Sequence, residues 1–153
     1  MKQLKDIDRD HQLWVLLADV RHLIYLNREK ELRKYGMTPD RAGILNIIME
    51  KESNLSPAQL ARYTLVTPQS LSSVLNGMKR EGLIEKIQNP TRANMLRIVI
   101  TPKGKRAYYG SRKRKSIHHA LSSLTEDEKG LLRSCLAKIF QHLTGQSVGM
   151  TYP

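Results

Sequence analysis

The sequence predicts a mainly α-helical protein with one small β-hairpin, and three patterns support this fold class. Apolar residues recur with a helical period in several segments of the 153-residue chain. Four Ser/Thr-Pro pairs mark helix starts, because the hydroxyl can cap free N–H groups and proline is tolerated at the first helical position. Between residues 83 and 101 the apolar period changes to the alternation that is typical of strands.

The first predicted helix covers about residues 8–35, and Gly36 is its expected C-terminal stop. Its apolar stripe is wide, so more than one neighbouring element should cover it. The stripe consists of Leu13, Val15, Leu16, Leu17, Val20, Leu23, Ile24, Tyr25 and Leu32.

Five further helices follow, four of them starting at the pairs Thr38-Pro39, Ser56-Pro57, Thr67-Pro68 and Thr101-Pro102. The fifth starts at the capping-box spacing of Thr125 and Glu128. Their predicted ranges are 39–51, 57–63, 68–81, 102–122 and 126–143. Helices 57–63 and 68–81 form a helix-turn-helix candidate. The segments "LIEKIQ" and "MLRIVIT", separated by turn residues in "NPTRAN", predict the hairpin.

The chain is strongly basic, with 26 Lys and Arg against 14 acidic residues and a formal net charge of +12. Solubility alone needs a net charge of only about 2–8 in a small domain. The excess therefore indicates a polyanionic partner, either nucleic acid or an anionic membrane surface. The N-terminus lacks an apolar signal region, and no window approaches the roughly 18 apolar residues of a membrane span. We therefore expect a soluble, cytoplasmic protein.

Helix 68–81 has one apolar face and one polar face, and its first nine or so residues carry no charge. Leu71, Val74, Leu75 and Met78 fall on the face that should be buried. Short polar side chains suit the major groove, where base edges present donors and acceptors, and cations suit the flanking phosphates. The predicted DNA contacts in this region are Thr67, Gln69, Ser70, Ser72, Ser73, Asn76, Lys79 and Arg80. The alternative is a solvated amphipathic helix that binds nothing.

The hairpin is interpreted as a wing beside that helix. Arg92 at its tip would contact the minor groove or the phosphate backbone, while Arg97 on the second strand lies nearer the base of the wing. Either arginine could instead be an ordinary exposed charge on a strand.

Three segments make the chain resemble the MarR family of winged-helix transcription regulators: "LSPAQLARYTLVTPQSLSSVLNGMKREGLI", "LRIVITPKGK" and "LSSLTEDEKGLL". The resemblance covers about residues 10–143. It implies one MarR-like chain over 1–153, with a winged helix-turn-helix lobe at 38–101. It also implies dimerisation helices at 8–36 and 102–145, which interleave around a two-fold axis in a homodimer. Such a dimer would place two lobes on a palindromic operator and bind small phenolic or aromatic acids.

The chain departs from the family pattern in two places. The family's wing usually carries an Asp-x-Arg or Asp-Arg-Arg signature, whereas the matching positions here hold Arg92, Ala93 and Asn94. Arg92 is then the candidate replacement for the wing arginine. Ser73 stands where the recognition helix often has arginine.

These observations predict a sequence-specific DNA-binding regulator, a homodimeric repressor that a small molecule releases from its operator. The alternative is a basic architectural or adaptor protein that binds nucleic acid without sequence preference. The sequence has no Gly-rich phosphate loop, nucleophile–base pair or paired catalytic carboxylates, so we expect neither an enzyme nor a cofactor.

Several other residues carry weaker signals. We expect Cys135 to be a buried, inert thiol, although an oxidant-sensing role is the alternative. The basic run "GKRAYYGSRKRKSIHH" is either a solvated face or a second DNA contact. Its neighbouring residues His118 and His119 point about 100° apart on a helix and suit no shared metal ion. His22, Tyr25, Arg41 and Tyr63 could line a ligand site, but packing explains each equally well, so that site stays unassigned.

Overall fold

The computed structural model describes residues 8–51 and 55–147, without the side chains of residues 93 and 94. The outermost parts of the predicted 1–153 chain, residues 1–7 and 148–153, lie outside this description. The elements in chain order are α1 (Arg9–Leu32), a 3-10 turn (Arg33–Tyr35), α2 (Pro39–Glu50), α3 (Pro57–Thr64), α4 (Pro68–Arg80), β1 (Ile84–Asn89), β2 (Arg92–Ile100), α5 (Pro102–Ser111), α6 (Lys115–Leu121) and α7 (Glu126–Thr144). The predicted mainly α fold with one hairpin is confirmed.

The predicted helix starts form as the Ser/Thr-Pro pairs indicate. Each capping hydroxyl accepts a hydrogen bond from the amide three residues later, and each proline occupies the first turn. Ser56 and Thr125 complete full capping boxes with Gln59 and Glu128. Gly36 adopts the left-handed conformation that ends the first helical segment.

The predicted single helix over 102–122 is wrong, because the chain breaks between α5 and α6. Arg114 has a positive φ of 47° there, which interrupts the helix. Side chains of α1 form hydrogen bonds with backbone groups at the end of α5 and at the start of α6. Arg28 donates to the carbonyl of Ser111 at 2.7 Å, and the Glu31 carboxylate accepts from the amides of Lys115 and Ser116 at 2.9 and 3.1 Å. These partners lie more than 80 residues away in sequence, so local periodicity could not reveal them.

The hydrophobic core lies in a lobe formed by α2, α3, α4 and the hairpin. Its fully buried side chains are Leu32, Leu45, Ile48, Leu60, Leu71, Leu75, Met78, Ile84 and Ile98. Burying a side chain of this size stabilises the fold by roughly 1.5–3 kcal/mol. Leu32 belongs to α1 and the buried Tyr108 to α5, so this core also anchors the ends of those helices.

The hairpin is antiparallel, with pairs from Ile84–Ile100 to Gln88–Leu96 and a register shift after Gln88. β2 already begins at Arg92, so the predicted turn "NPTRAN" is too long and only Pro90 and Thr91 separate the strands. The Ile98 amide also donates to the Leu55 carbonyl at 2.9 Å, which adds one bridge beside β2.

The start of α5 packs tightly against the chain at the base of the hairpin. A Cβ on Gly104 would lie 2.1 Å from the Leu83 carbonyl oxygen, so only glycine fits there. The Thr101 hydroxyl, besides capping α5, donates to the Gly82 carbonyl at 2.6 Å. The hairpin and α5 are therefore held together at this point.

Much of α1 and all of α7 lie outside the core. No residue of α7 is buried, and most leucines of α7 and of the first part of α1 are exposed. Cys135 on α7 is exposed as well. The predicted buried thiol is therefore wrong in the single chain, because no element within residues 8–51 and 55–147 covers that face of α7.

The Glu31 contacts generate a prediction about pH. Burial raises the pKa of the Glu31 carboxyl, but hydrogen bonds from Ser116, Arg28 and the Lys115 amide outweigh burial and lower the pKa to about 2. Because this folded-state pKa lies below the unfolded value of 4.5, Glu31 stabilises the fold above pH 4.5. That contribution should be lost as the pH falls from 4.5 towards 2.

We expect Glu31→Gln to lower the free energy of unfolding at neutral pH by about 2 kcal/mol or more, because charged hydrogen bonds are lost. Its stability should also fall less steeply than that of the unsubstituted protein below pH 4.5. Urea unfolding at a series of pH values measures both effects. Asp19→Asn, at an exposed carboxylate of α1, is the control. Parallel pH profiles for Glu31→Gln and the unsubstituted protein would contradict the conclusion that the Glu31 carboxylate stabilises the fold above pH 4.5.

Candidate nucleic-acid interface

The candidate interface consists of α4 and the hairpin beside it. Leu71, Leu75 and Met78 bury one face of α4 in the lobe core, as predicted. The opposite side, called here the polar face of α4, is exposed along its length and comprises Gln69, Ser70, Ser72, Ser73, Asn76, Lys79 and Arg80. All seven predicted contact residues of this helix therefore lie on accessible surface.

Thr67 organises the first turn of α4. Its hydroxyl accepts from the Ser70 amide at 3.2 Å and donates to the Ser70 hydroxyl at 2.9 Å. The remaining free amides of that turn, with the helix dipole, make this end of α4 favourable for an anion. Thr67 therefore contributes by shaping the helix N-terminus, while its own hydroxyl is occupied by Ser70.

The other end of α4 is tied to two neighbouring helices. Arg41 of α2 donates to both carboxylate oxygens of Glu81, each at 2.7 Å. Lys103 of α5 donates to the backbone carbonyl of Glu81 at 2.7 Å. A bidentate pair fixes orientation even where solvent exposure keeps its contribution to stability small. The direction in which α4 points is therefore set from both sides.

A further contact links α1 to the start of α2. The Tyr25 hydroxyl donates to the Asp40 carboxylate at 3.0 Å, next in sequence to Arg41. Burial and the contact with Asp40 raise the pKa of Tyr25, so its hydroxyl remains a donor at neutral pH. α1, α2 and α4 are thus connected through Tyr25–Asp40 and Arg41–Glu81.

Lys86 of β1 is a site residue that the sequence analysis missed. Its Nζ donates to Oδ1 of Asn76, in the middle of the polar face of α4, at 2.7 Å. The alternation of side chains along β1 indicates on which face Lys86 lies. Lys86 lies two residues after the buried Ile84, on the strand face that turns towards α4. The strand–helix contact itself is tertiary, so the sequence alone could not supply the partner.

The two predicted wing arginines occupy different environments. Arg92 is exposed, starts β2 opposite Asn89 and has its Nη1 at 3.9 Å from the Met95 sulfur. Arg97 is half-buried and pairs with Ile87, nearer the base of the wing as expected. Ala93 and Asn94, which fill the family's signature positions, have side chains outside the description.

The candidate ligand residues make separate contacts. Tyr25 and Arg41 bind Asp40 and Glu81, the Tyr63 ring lies 5.1 Å from Lys51 Nζ, and His22 is exposed. A groove of about 510 Å³ between α3 and α4 contains none of them. It is lined by Pro57, Ala58, Ala61, Arg62, Val66, Pro68, Leu71, Ser72 and Leu75.

The described part of the chain contains neither a candidate metal site nor a candidate membrane span. Over 8–51 and 55–147, no group of three or more His, Cys, Asp or Glu side chains is arranged to hold a metal ion. Over the same ranges, no helix has the length and apolar character that crossing a membrane requires.

Comparison with known proteins places these features among transcription regulators. The model of the MarR family matches residues 35–93, which include the helix-turn-helix and most of the hairpin. The HTH-type transcriptional repressor YetL of Bacillus subtilis (strain 168) is 21% identical over 136 residues, covering 87% of this chain and 81% of the repressor.

The similarity to solved structures extends over more of the chain than residues 35–93. The ligand-free organohalide-sensing RdhR transcriptional regulator is 25% identical, with a TM-score of 0.87 over 100% of this chain and 94% of that chain. The 2,4-dichlorophenol-bound form has the same TM-score at 24% identity, over 100% of this chain and 92% of that chain. A mutant MarR from E. coli, complexed with operator DNA, is 19% identical with a TM-score of 0.78, covering 84% of this chain and 93% of that chain.

Proposed function

Because this chain is a MarR-family transcription regulator with a winged-helix fold, we propose that it is a homodimeric repressor of a palindromic DNA operator. One observation carries the proposal. From Gln69 to Asn76 the exposed face of α4 carries uncharged polar side chains, beside a hairpin that carries arginine, in a chain of net charge +12. Such a surface matches a major groove between two rows of phosphates.

In the proposed complex, α4 lies in the major groove. Gln69, Ser70, Ser72, Ser73 and Asn76 contact base edges. Lys79 and Arg80, at the end of the helix, contact phosphates, and Thr67 holds the helix N-terminus towards the backbone. Arg92 reaches the minor groove or its phosphates from the tip of the wing, and the half-buried Arg97 contacts the backbone from the base of the wing.

The exposed apolar surface of α1 and α7 supports the homodimer. Trp14, Leu131 and Leu143 are 63%, 66% and 76% exposed in the single chain. Soluble monomers rarely expose contiguous apolar patches of this kind, and a second copy of the same chain can cover them isologously. The lobe over 38–101 would then contact DNA, and the helical parts over 8–36 and 102–145 would form the dimer, with α5 joining the two.

We also propose that a small phenolic or aromatic ligand releases the operator by favouring a lobe spacing that does not bind DNA. The resemblance to ligand-sensing regulators supports this step, as do the contacts that connect α1 to the end of α4. The protein would act in the cytoplasm, without catalytic activity.

The operator proposal is tested by selecting random duplex DNA with the purified protein at near-physiological salt. We expect an enriched inverted repeat with half-site centres about one helical turn apart. Affinity for it should exceed affinity for unrelated DNA by at least ~10³-fold. Salt-sensitive binding to every sequence without enrichment would instead support an architectural or adaptor protein.

The wing contact is tested with Arg92→Ala. Removing one phosphate contact should weaken operator binding and flatten the dependence of log affinity on log salt by about one unit. Fluorescence anisotropy over a range of salt concentrations measures this slope. Lys138→Ala, which removes an equal charge from exposed α7, should leave the slope unchanged. An unaltered slope in Arg92→Ala would remove the wing tip from the interface.

The dimer is tested on α7 with two variants that add the same charge. Ile139 lies within the exposed apolar stripe, and Gln141 lies about 200° away around the helix. We expect Ile139→Glu to sediment as a folded monomer and Gln141→Glu to remain a dimer in analytical ultracentrifugation. Dimers in both variants would show that this face of α7 is not the interface.

A further inference from the structure

Asn76 lies in the middle of the polar face of α4, and its side-chain oxygen already accepts one hydrogen bond. Lys86 Nζ donates to Asn76 Oδ1 at 2.7 Å across the junction between α4 and β1. Lysine has only donors, so this contact identifies which end of the Asn76 amide faces the strand. The Nδ2 amino group is therefore the end that faces away from Lys86, and its two donors are the groups of Asn76 most readily offered to a ligand.

This contact changes the base that Asn76 can recognise. A free asparagine pairs with adenine by accepting from N6 and donating to N7, which requires both ends of its amide. With the Lys86 ammonium at Oδ1, a base group that approaches this oxygen also meets a positively charged donor. The Lys86 ammonium keeps two further N–H donors after the one given to Asn76. The pair thus presents more donors than acceptors, together with the positive charge of the ammonium.

Guanine is the base whose major-groove edge fits such a surface, because it offers the two acceptors N7 and O6. Thymine offers only O4 beside a methyl group, and cytosine offers a donor. Adenine places an amino group next to N7, which would meet the ammonium of Lys86, another donor. We infer that Asn76 and Lys86 act as one unit that selects guanine at one base pair of each half-site, an inference that rests on the proposed operator binding.

The position of Lys86 in the hairpin explains why the contact should persist in a complex. Lys86 pairs across the hairpin with Ile98, whose side chain is fully buried, so the lysine stem starts from the core-facing side of the sheet. The ammonium emerges at the edge of the core, beside α4. A charge-assisted hydrogen bond is stronger than a neutral one and strengthens further when DNA excludes water. Rotating the Asn76 amide towards adenine would break that bond.

The first experiment locates the base pair by comparing selections on random duplex DNA. The unsubstituted protein should select guanine at one position of each half-site. Asn76→Ala should lose the preference for guanine at that position. Adenine at that position in the unsubstituted protein would overturn the inference while leaving operator binding intact. Absence of any inverted repeat would overturn both proposals together.

The second experiment tests Lys86 with a variant that keeps its length. Lys86→Met removes the donors and frees Asn76 Oδ1, so the preference at the same position should shift from guanine towards adenine. Lys79→Met is the matched control, because it removes an equal charge from α4 and should weaken binding to all sequences without altering any preference. An unchanged guanine preference in Lys86→Met would refute the role of Lys86.

The third experiment uses the unsubstituted protein and so does not depend on how any variant folds. Replacing the selected guanine by 7-deazaguanine removes the N7 acceptor and keeps base pairing. We expect operator affinity to fall roughly tenfold or more, as for the loss of a good base contact. Equal affinity for the two operators would show that no donor of the protein reaches N7 and would overturn the inference.

Discussion

The arrangement of the molecule depends on the burial of one face of α4. Leu71, Leu75 and Met78 are almost fully enclosed by α2, α3 and the hairpin. Because an α-helix separates its faces by a fixed angle, burying these residues holds the polar face of α4 at the surface. Ile84 and Ile98 enter the same core, so the hairpin is positioned beside α4 by the same burial. The candidate interface is therefore a consequence of core packing.

Polar contacts complement this core by connecting elements that apolar packing alone would leave free to shift. Arg28 and Glu31 satisfy the broken ends of α5 and α6, and this joins α1 to the chain beyond the lobe. Tyr25–Asp40 and Arg41–Glu81 then join α1 to α2 and α2 to the end of α4. These directional bonds form a continuous series of contacts from α1 to α4. Such a series suits the proposed coupling between the proposed dimer helices and the proposed DNA-binding surface.

The surface of the chain falls into two chemically different regions. The lobe presents small polar groups and cations, whereas α1 and α7 present leucines and a tryptophan. Water solvates the first region well and the second poorly, so the two are suited to different partners. The exposed Cys135 lies in the second region, because none of the described elements covers that face of α7. A second copy of the chain is the proposed cover.

Local sequence patterns determined the helix starts, the two faces of α4 and the position of the hairpin, because caps, prolines and apolar periods act through residues only a few positions apart. The sequence also identified the DNA-contact candidates of α4 as exposed positions, since a buried apolar stripe defines its opposite face. Only the tertiary structure decided the break between α5 and α6, the exposure of Cys135 and the pairing of Lys86 with Asn76. Each of these depends on whether another element is present at a given place, as when Glu31 caps an amide 84 residues away. Such partners are brought together by packing of the whole chain, so a local sequence pattern cannot predict them.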